Sequence, residues 1–287
     1  MVVGCGGAVG SGVSVGKIGQ QLSVHAQAVP QGGEACALKD GLGQQQGAEK
    51  PIDTKCEKEL KTDRVWNGAL LALAAYGDTL GTVAAGAGSD TSGQIEAAAA
   101  GAPPDAADAA DGPEKAARDA TAALLDQLAK KESKDDPADL IKRAAPHVKA
   151  ICDGLPAYLD AQATGIGDAL KEAEKKRISP NDRRCGTLDN RSICVGDTAV
   201  DRAVYASTYG RLTRLEHSHR RARDEVAGFC AAHLKLEEAA KNGTLEDDAT
   251  VTAIAEAVKS ARGAAPAAAA PAADAKPAAD PKAAPKK

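Results

Sequence analysis

The chain has 287 residues, enough for one or two domains and a sizeable core, and its net charge of −4 is spread over 36 basic and 40 acidic residues mixed along the sequence. That mixture provides no basic field for nucleic acid, and no nucleic-acid partner is expected. Aromatic residues make up 2% and there is one Met, so the core must be built from Leu, Val, Ile and Ala, which suits closely packed helices and excludes a large sheet.

No window approaches the roughly 20 apolar residues that a membrane-spanning helix needs, the longest apolar stretch being 68–76. The N-terminus reads Val2-Val3-Gly4-Cys5 and continues as a Gly/Ser-rich run to Gly16. Small residues before a cysteine and a flexible stretch after it resemble the lipobox and tether of bacterial lipoproteins. The resemblance covers these four residues. The basic and hydrophobic regions found upstream in that family do not precede them here. It implies lipid attachment at Cys5, a membrane partner reached through that lipid, and residence in the cell envelope, in the periplasm or at the outer membrane. A second reading takes Gly4, Gly6, Gly7 and Gly10 as a phosphate-cradling turn. A dinucleotide fingerprint needs a full preceding strand and a third glycine where Val9 stands, so no cofactor is expected.

Residues 17–29 carry a short helical pattern through Ile18, Leu22 and Val29, and 32–50 read as an irregular segment containing Cys36. From Asp53 to about Ala85 the spacing predicts a helix, with Cys56, Leu60, Trp66, Leu70, Leu73, Tyr76 and Leu80 on one side. Trp66, the single Trp, reads as a core or edge residue. A short helix is predicted around Ser92–Ala100, followed by an Ala/Gly/Asp/Pro-rich loop to Pro113. Helices follow over Glu114–Lys131 and Pro137–Asp153, the latter with Pro146 expected to kink or interrupt it. Pro156 then opens a separate helix to about Arg177, and a cysteine-bounded loop leads onward.

The longest element is predicted within Gly196–Gly243, where Val204, Thr208, Leu212, Leu215, His219, Ala222, Val226, Phe229, His233 and Leu236 recur at steps of three and four. Asp197 or Thr198 can cap its start, and Gly243 supplies a residue tolerant of a left-handed turn past its end. Such a rod cannot bury its seam alone and requires partner helices. Thr244 is expected to cap a last helix through Leu245, Val251, Ile254 and Val258. The Ala/Pro/Lys-rich residues 263–287 read as a disordered, extended spacer. The expected organisation is an N-terminal tether (1–16), a helical domain (17–262) and that tail (263–287).

Seven cysteines occur, and setting Cys5 aside as the lipid carrier leaves six, the number that three disulfides require out of 15 possible pairings. The most direct pair is Cys185 with Cys194, which flank a compact loop between two helices. Cys36 with Cys56 would tie the N-terminal segment to the first long helix, and Cys152 with Cys230 would cross-link two bundle helices. No C-x-x-C and no zinc-ribbon spacing is present.

Candidates for chemistry are few. Glu216 and His219 form an i, i+3 pair able to offer two ligands, but H-E-x-x-H is absent and His217 points away from His219. His219 and His233 are 14 residues and therefore about 21 Å apart on one helix. Arg220, Arg221 and Arg223 interleave with Glu216, Asp224 and Glu225 and read as a self-compensated face. No catalytic residue and no metal ligand is assigned. The fold expected is all-α, an antiparallel bundle of about five to seven long helices cross-linked by disulfides. The function expected is binding or scaffolding from a lipid-anchored position in the bacterial envelope, toward a protein or cell-wall partner. Two alternatives are an envelope enzyme with a site near Glu216 and His219, and a cytosolic helical adaptor with free thiols.

Overall fold

The computed structural model describes residues 35, 36, 38, 39, 54–84, 92–101, 112–130, 136–175, 184–188, 191–195 and 199–263. Expectations for Cys5, the 1–16 tether, the helix at 17–29 and the tail beyond 263 concern residues outside these. Among the described residues from Thr54 onward, six helices and one strand pair follow in order: α1 (Thr54–Ala84), α2 (Ser92–Gly101), α3 (Pro113–Ala129), α4 (Pro137–Lys175), β1 (Arg184–Leu188), β2 (Arg191–Val195), α5 (Ala199–Asn242) and α6 (Asp248–Gly263). The protein is an all-α helical bundle cross-linked by disulfides. The long helices α4 and α5 pack along each other, α6 folds back on α5, and α1 meets α2, α3 and α4.

The apolar seam expected on α5 is the face it buries: Leu212, Leu215, His219, Ala222, Val226, Phe229, His233 and Leu236 are all inside. The deepest element is α1. Between Val65 and Tyr76 it is buried around nearly its whole circumference, as a central helix must be when neighbours surround it. The main core joins α1, α3, α4 and the second half of α5. A smaller core gathers Ala35, Ile166, Leu170, Leu212 and Leu215, where the segment around Cys36 covers the far end of α4 and α5.

Three expectations need correction. The helices expected to divide near Asp153 are one 39-residue helix, α4, running through both Pro146 and Pro156. Its seam Leu140, Ala144, Val148, Ile151, Leu155, Leu159, Ala163, Ile166 and Leu170 is continuous in step and buried throughout. Burying that stripe on both sides of each proline outweighs a local cost of about 3 kcal/mol. Pro146 stands on the exposed face, where water can solvate the carbonyl that loses its partner.

The cysteine-bounded segment is an antiparallel strand pair, with Cys185 opposite Cys194 and Gly186 opposite Ile193. The β-branched Thr187, Ile193 and Val195 suit extended backbone and account for this.

Finally, Thr244 does not cap α6. The Thr244 N–H donates to Ala239 O at 2.9 Å past Gly243, whose φ is +70°, closing α5 as the glycine signal implied. The α6 helix starts later: Asp247 O accepts from Thr250 N at 2.9 Å and Val251 N at 3.3 Å, and Leu245 is buried in the intervening turn.

Among the described residues two disulfides are present, Cys36–Cys56 and Cys152–Cys230, with Cα separations of 5.6 and 5.9 Å. The first ties the N-terminal segment to α1 and the second ties α4 to α5. Disulfides persist in oxidising surroundings, so these two point to a non-cytosolic compartment. Among the described residues no helix is long and apolar enough to cross a membrane.

Candidate functional site

Two of the buried polar side chains, Asn67 and His219, meet at the boundary between the two cores. Moving along α4, the main core ends at Leu159 and the smaller one resumes at Ile166; along α5 the corresponding limits are Ala222 and Leu215. Between them α1 contributes Asp63 and Asn67, α4 contributes Tyr158 and Gln162, and α5 contributes Glu216 and His219. Asp63, Trp66, Asn67, Tyr158 and His219, with leucines of α1 and α4, line a mostly apolar recess with room for one water molecule at most.

Asp63 is held from α4. Tyr158 O–H donates to Asp63 Oδ1, and Gln162 Nε2 reaches the same oxygen at 3.5 Å. Burial, followed by the Asp63 charge, pushes the Tyr158 phenol far above its ordinary range, so it remains a donor. Trp66 stacks on Tyr158 with ring centroids 5.4 Å apart. His219 Nδ1 lies 2.8 Å from Leu215 O, a contact that only a protonated nitrogen can make, which leaves Nε2 as the basic nitrogen. Burial lowers the His219 pKa, while its backbone hydrogen bond and Asp63 oppose that shift and Lys39 adds to it. Asn67 is buried and its Oδ1 has no hydrogen-bond partner.

The structure does not assemble the Glu216–His219 pair into a joint site. Glu216 Oε1 accepts from Arg220 Nε at 3.1 Å and Nη2 at 2.9 Å. The same carboxylate lies against α4, 3.0 Å from where a Cβ on Gly167 would stand, so it is engaged away from the histidine ring. His217 is exposed. Arg223 pairs with Asp224 and reaches across to Asp160 of α4, so much of the arginine face is internally compensated. No group of three His, Cys, Asp or Glu suited to a metal ion exists among the described residues.

His233 belongs to a second cluster in the main core. Its ring stands edge-on to Tyr76 at 5.4 Å and is stacked with Phe229 at 6.5 Å, and Tyr76 O–H approaches Nδ1 at 3.4 Å. Burial drives its pKa down to about 4, against an opposing pull from Glu237.

Asp63, Asn67 and Tyr158 were not singled out from the sequence. The available signal was Asn67, an amide beside Trp66 in an otherwise apolar run. Comparison with protein-family models, curated proteins and solved structures returns no match.

Proposed function

We propose that this chain is a lipid-anchored protein of the bacterial envelope, of binding or scaffolding type, with Cys5 as the lipid carrier and the helical bundle as the presented surface. The observation that carries the reading is the cross-linking of the bundle itself. Cys152–Cys230 joins the two longest helices, and Cys36–Cys56 pins the segment that leads from the N-terminus onto α1. Both bonds weigh against a cytosolic adaptor with free thiols. The lipobox-like Val2-Val3-Gly4-Cys5 adds the anchor. A recess of water-sized capacity offers no room for an organic substrate, which favours surface binding over internal chemistry.

The six cysteines after Cys5 make three pairs in this reading, and Cys185 with Cys194, opposite each other in the strand register, is the third. Directly opposed residues of an antiparallel pair have Cα atoms about 4.5–5.5 Å apart, within the range of about 4.4–6.8 Å that disulfides span. All six cysteines after Cys5 are then paired, and Cys5 alone keeps a thiol for the lipid. The partner is the membrane through that lipid, together with a protein or cell-wall component met by the bundle. Expression of the full-length gene with Cys5→Ser tests the anchor. The wild-type chain should partition into the detergent phase of a membrane extract and the variant into the aqueous phase; equal partitioning of the two would contradict it.

A further inference from the structure

The outer face of α5 changes character along its length. Ser207, Arg211, Arg214, Arg221, Gly228 and Ala232 follow one another at steps of three, four and seven and share that face. Gly228 and Ala232 are buried, in the half of α5 on which α6 folds back, whereas Ser207, Arg211, Arg214 and Arg221 are exposed. At 16 residues α6 is about 24 Å long, against about 66 Å for the 44 residues of α5, so it leaves the first half bare. Between Ser207 and Arg221 the helix carries four arginines and one glutamate. That glutamate, Glu216, is engaged by Arg220 and lies against α4 at Gly167, and Arg223 reaches Asp160 of α4 as well. Arg221 is two residues from Arg223 and so projects away from α4, about 200° round the helix. Among the described residues neither Arg214 nor Arg221 has a salt-bridge partner. Asp224, paired with Arg223, and Glu225 mark the end of the basic stretch.

We propose that this bare basic face docks on an anionic lipid surface, with its arginines against headgroup phosphates and the helix lying along the membrane. Charge selects the chemistry: a chain of net charge −4 concentrates exposed guanidinium groups here, and a guanidinium donates to phosphate in a planar fork. Position selects the source. Ala35, in the segment that leads from the N-terminus, packs with Leu212 and Leu215 at the start of this stretch, so a lipid on Cys5 tethers this end of the bundle. The choice of a membrane over a soluble phosphate polymer therefore rests on the lipid-anchor reading. A single lipid chain attaches reversibly, and a basic patch is a second signal that makes the attachment firm.

The test uses the full, disulfide-intact chain carrying Cys5→Ser, so that lipidation plays no part and the anchor is judged separately by detergent partitioning. Vesicles of equal parts phosphatidylglycerol and phosphatidylcholine should sediment the chain, pure phosphatidylcholine vesicles should not, and binding should fall as salt rises. Arg214→Gln together with Arg221→Gln should weaken binding by about tenfold or more, and Arg214→Lys together with Arg221→Lys should retain most of it. Lys130→Gln together with Lys149→Gln removes the same net charge from exposed positions at the end of α3 and on α4, and should leave binding nearly unchanged. All of these side chains are exposed, so the far-UV circular dichroism of each variant should match its parent. Equal sedimentation with neutral vesicles, or equal losses in the arginine and lysine pairs, would overturn the proposal. So would binding of inorganic polyphosphate without binding of vesicles, which would give the face to a soluble polymer.

Discussion

Trp66 of α1 closes directly against the backbone of α4 at Gly154: a Cβ at that position would stand 2.4 Å from Trp66 Cη2. The indole is sandwiched, with Tyr158 stacked on it and Gly154 beneath its edge. Gly154→Ala gains about 1 kcal/mol of helix propensity but forces a rigid ring to move, an overpacking cost of about 1–3 kcal/mol. The expected result is a net loss of up to about 2 kcal/mol in urea unfolding. Because Trp66 is the only Trp, its emission should change in the folded variant. A stabilised variant with unaltered emission would contradict this packing.

The two disulfides should differ in what they contribute. Cys152–Cys230 closes a loop of 78 residues and Cys36–Cys56 one of 20. By the chain-entropy relation these are worth about 4.5 and about 3.3 kcal/mol. Removal of Cys152 and Cys230 as a pair should therefore lower stability by about 1 kcal/mol more than removal of Cys36 and Cys56. Hydrogen exchange should also separate them. Loss of Cys36–Cys56 should expose the covered end around Ile166 and Leu212 while the main core stays protected, because Ala35 belongs to the smaller core alone.

His233 sets a pH dependence of definite sign. It takes a proton at about 4 in the folded chain and near 6.5 in the unfolded one. Between those values the unfolded state binds more protons, so stability is complete above about pH 6.5 and declines as pH falls toward 4, by about 3 kcal/mol at most. Urea unfolding across that window should show this slope, and His233→Leu should flatten it. His219 is shifted in the same direction and accounts for part of the slope that remains. A slope unchanged by His233→Leu would show that the ring is not held neutral in the core.

The bridge from Arg223 to Asp160 joins α5 to α4 but is partly open to solvent, with side chains 22% and 49% exposed. Asp160→Asn should cost only about 0–1 kcal/mol, and less at high salt. A larger effect would mean that this pair, rather than the apolar seam, aligns the two helices.

Much of the architecture was legible because period and burial coincide. On α5 the repeated steps of three and four mark a face that is buried from Leu212 to Leu236, and Gly243 marks its end. On α4 local chemistry misled: Pro146 and Pro156 are breakers in isolation, but a continuous seam packed against α5 carries the helix through both. The strand pair was hidden because its segment is short, polar and without a second apolar face. The recess was legible only in part. His219 announced itself on an apolar seam, whereas its companions Asp63, Asn67 and Tyr158 lie 61 to 156 residues away, where adjacency depends on how α1 and α4 pack. Single-sequence periodicity reports which face is buried and cannot report what lies across it.

The most direct test of the account is the intact mass of the full-length gene product from its host's membrane fraction, after free thiols are blocked without reduction. The account predicts a lipid-sized increment at Cys5 and no blocked thiol, since the other six cysteines are paired. An unmodified N-terminus with six or seven blocked cysteines would contradict both the anchor and the cross-linked bundle.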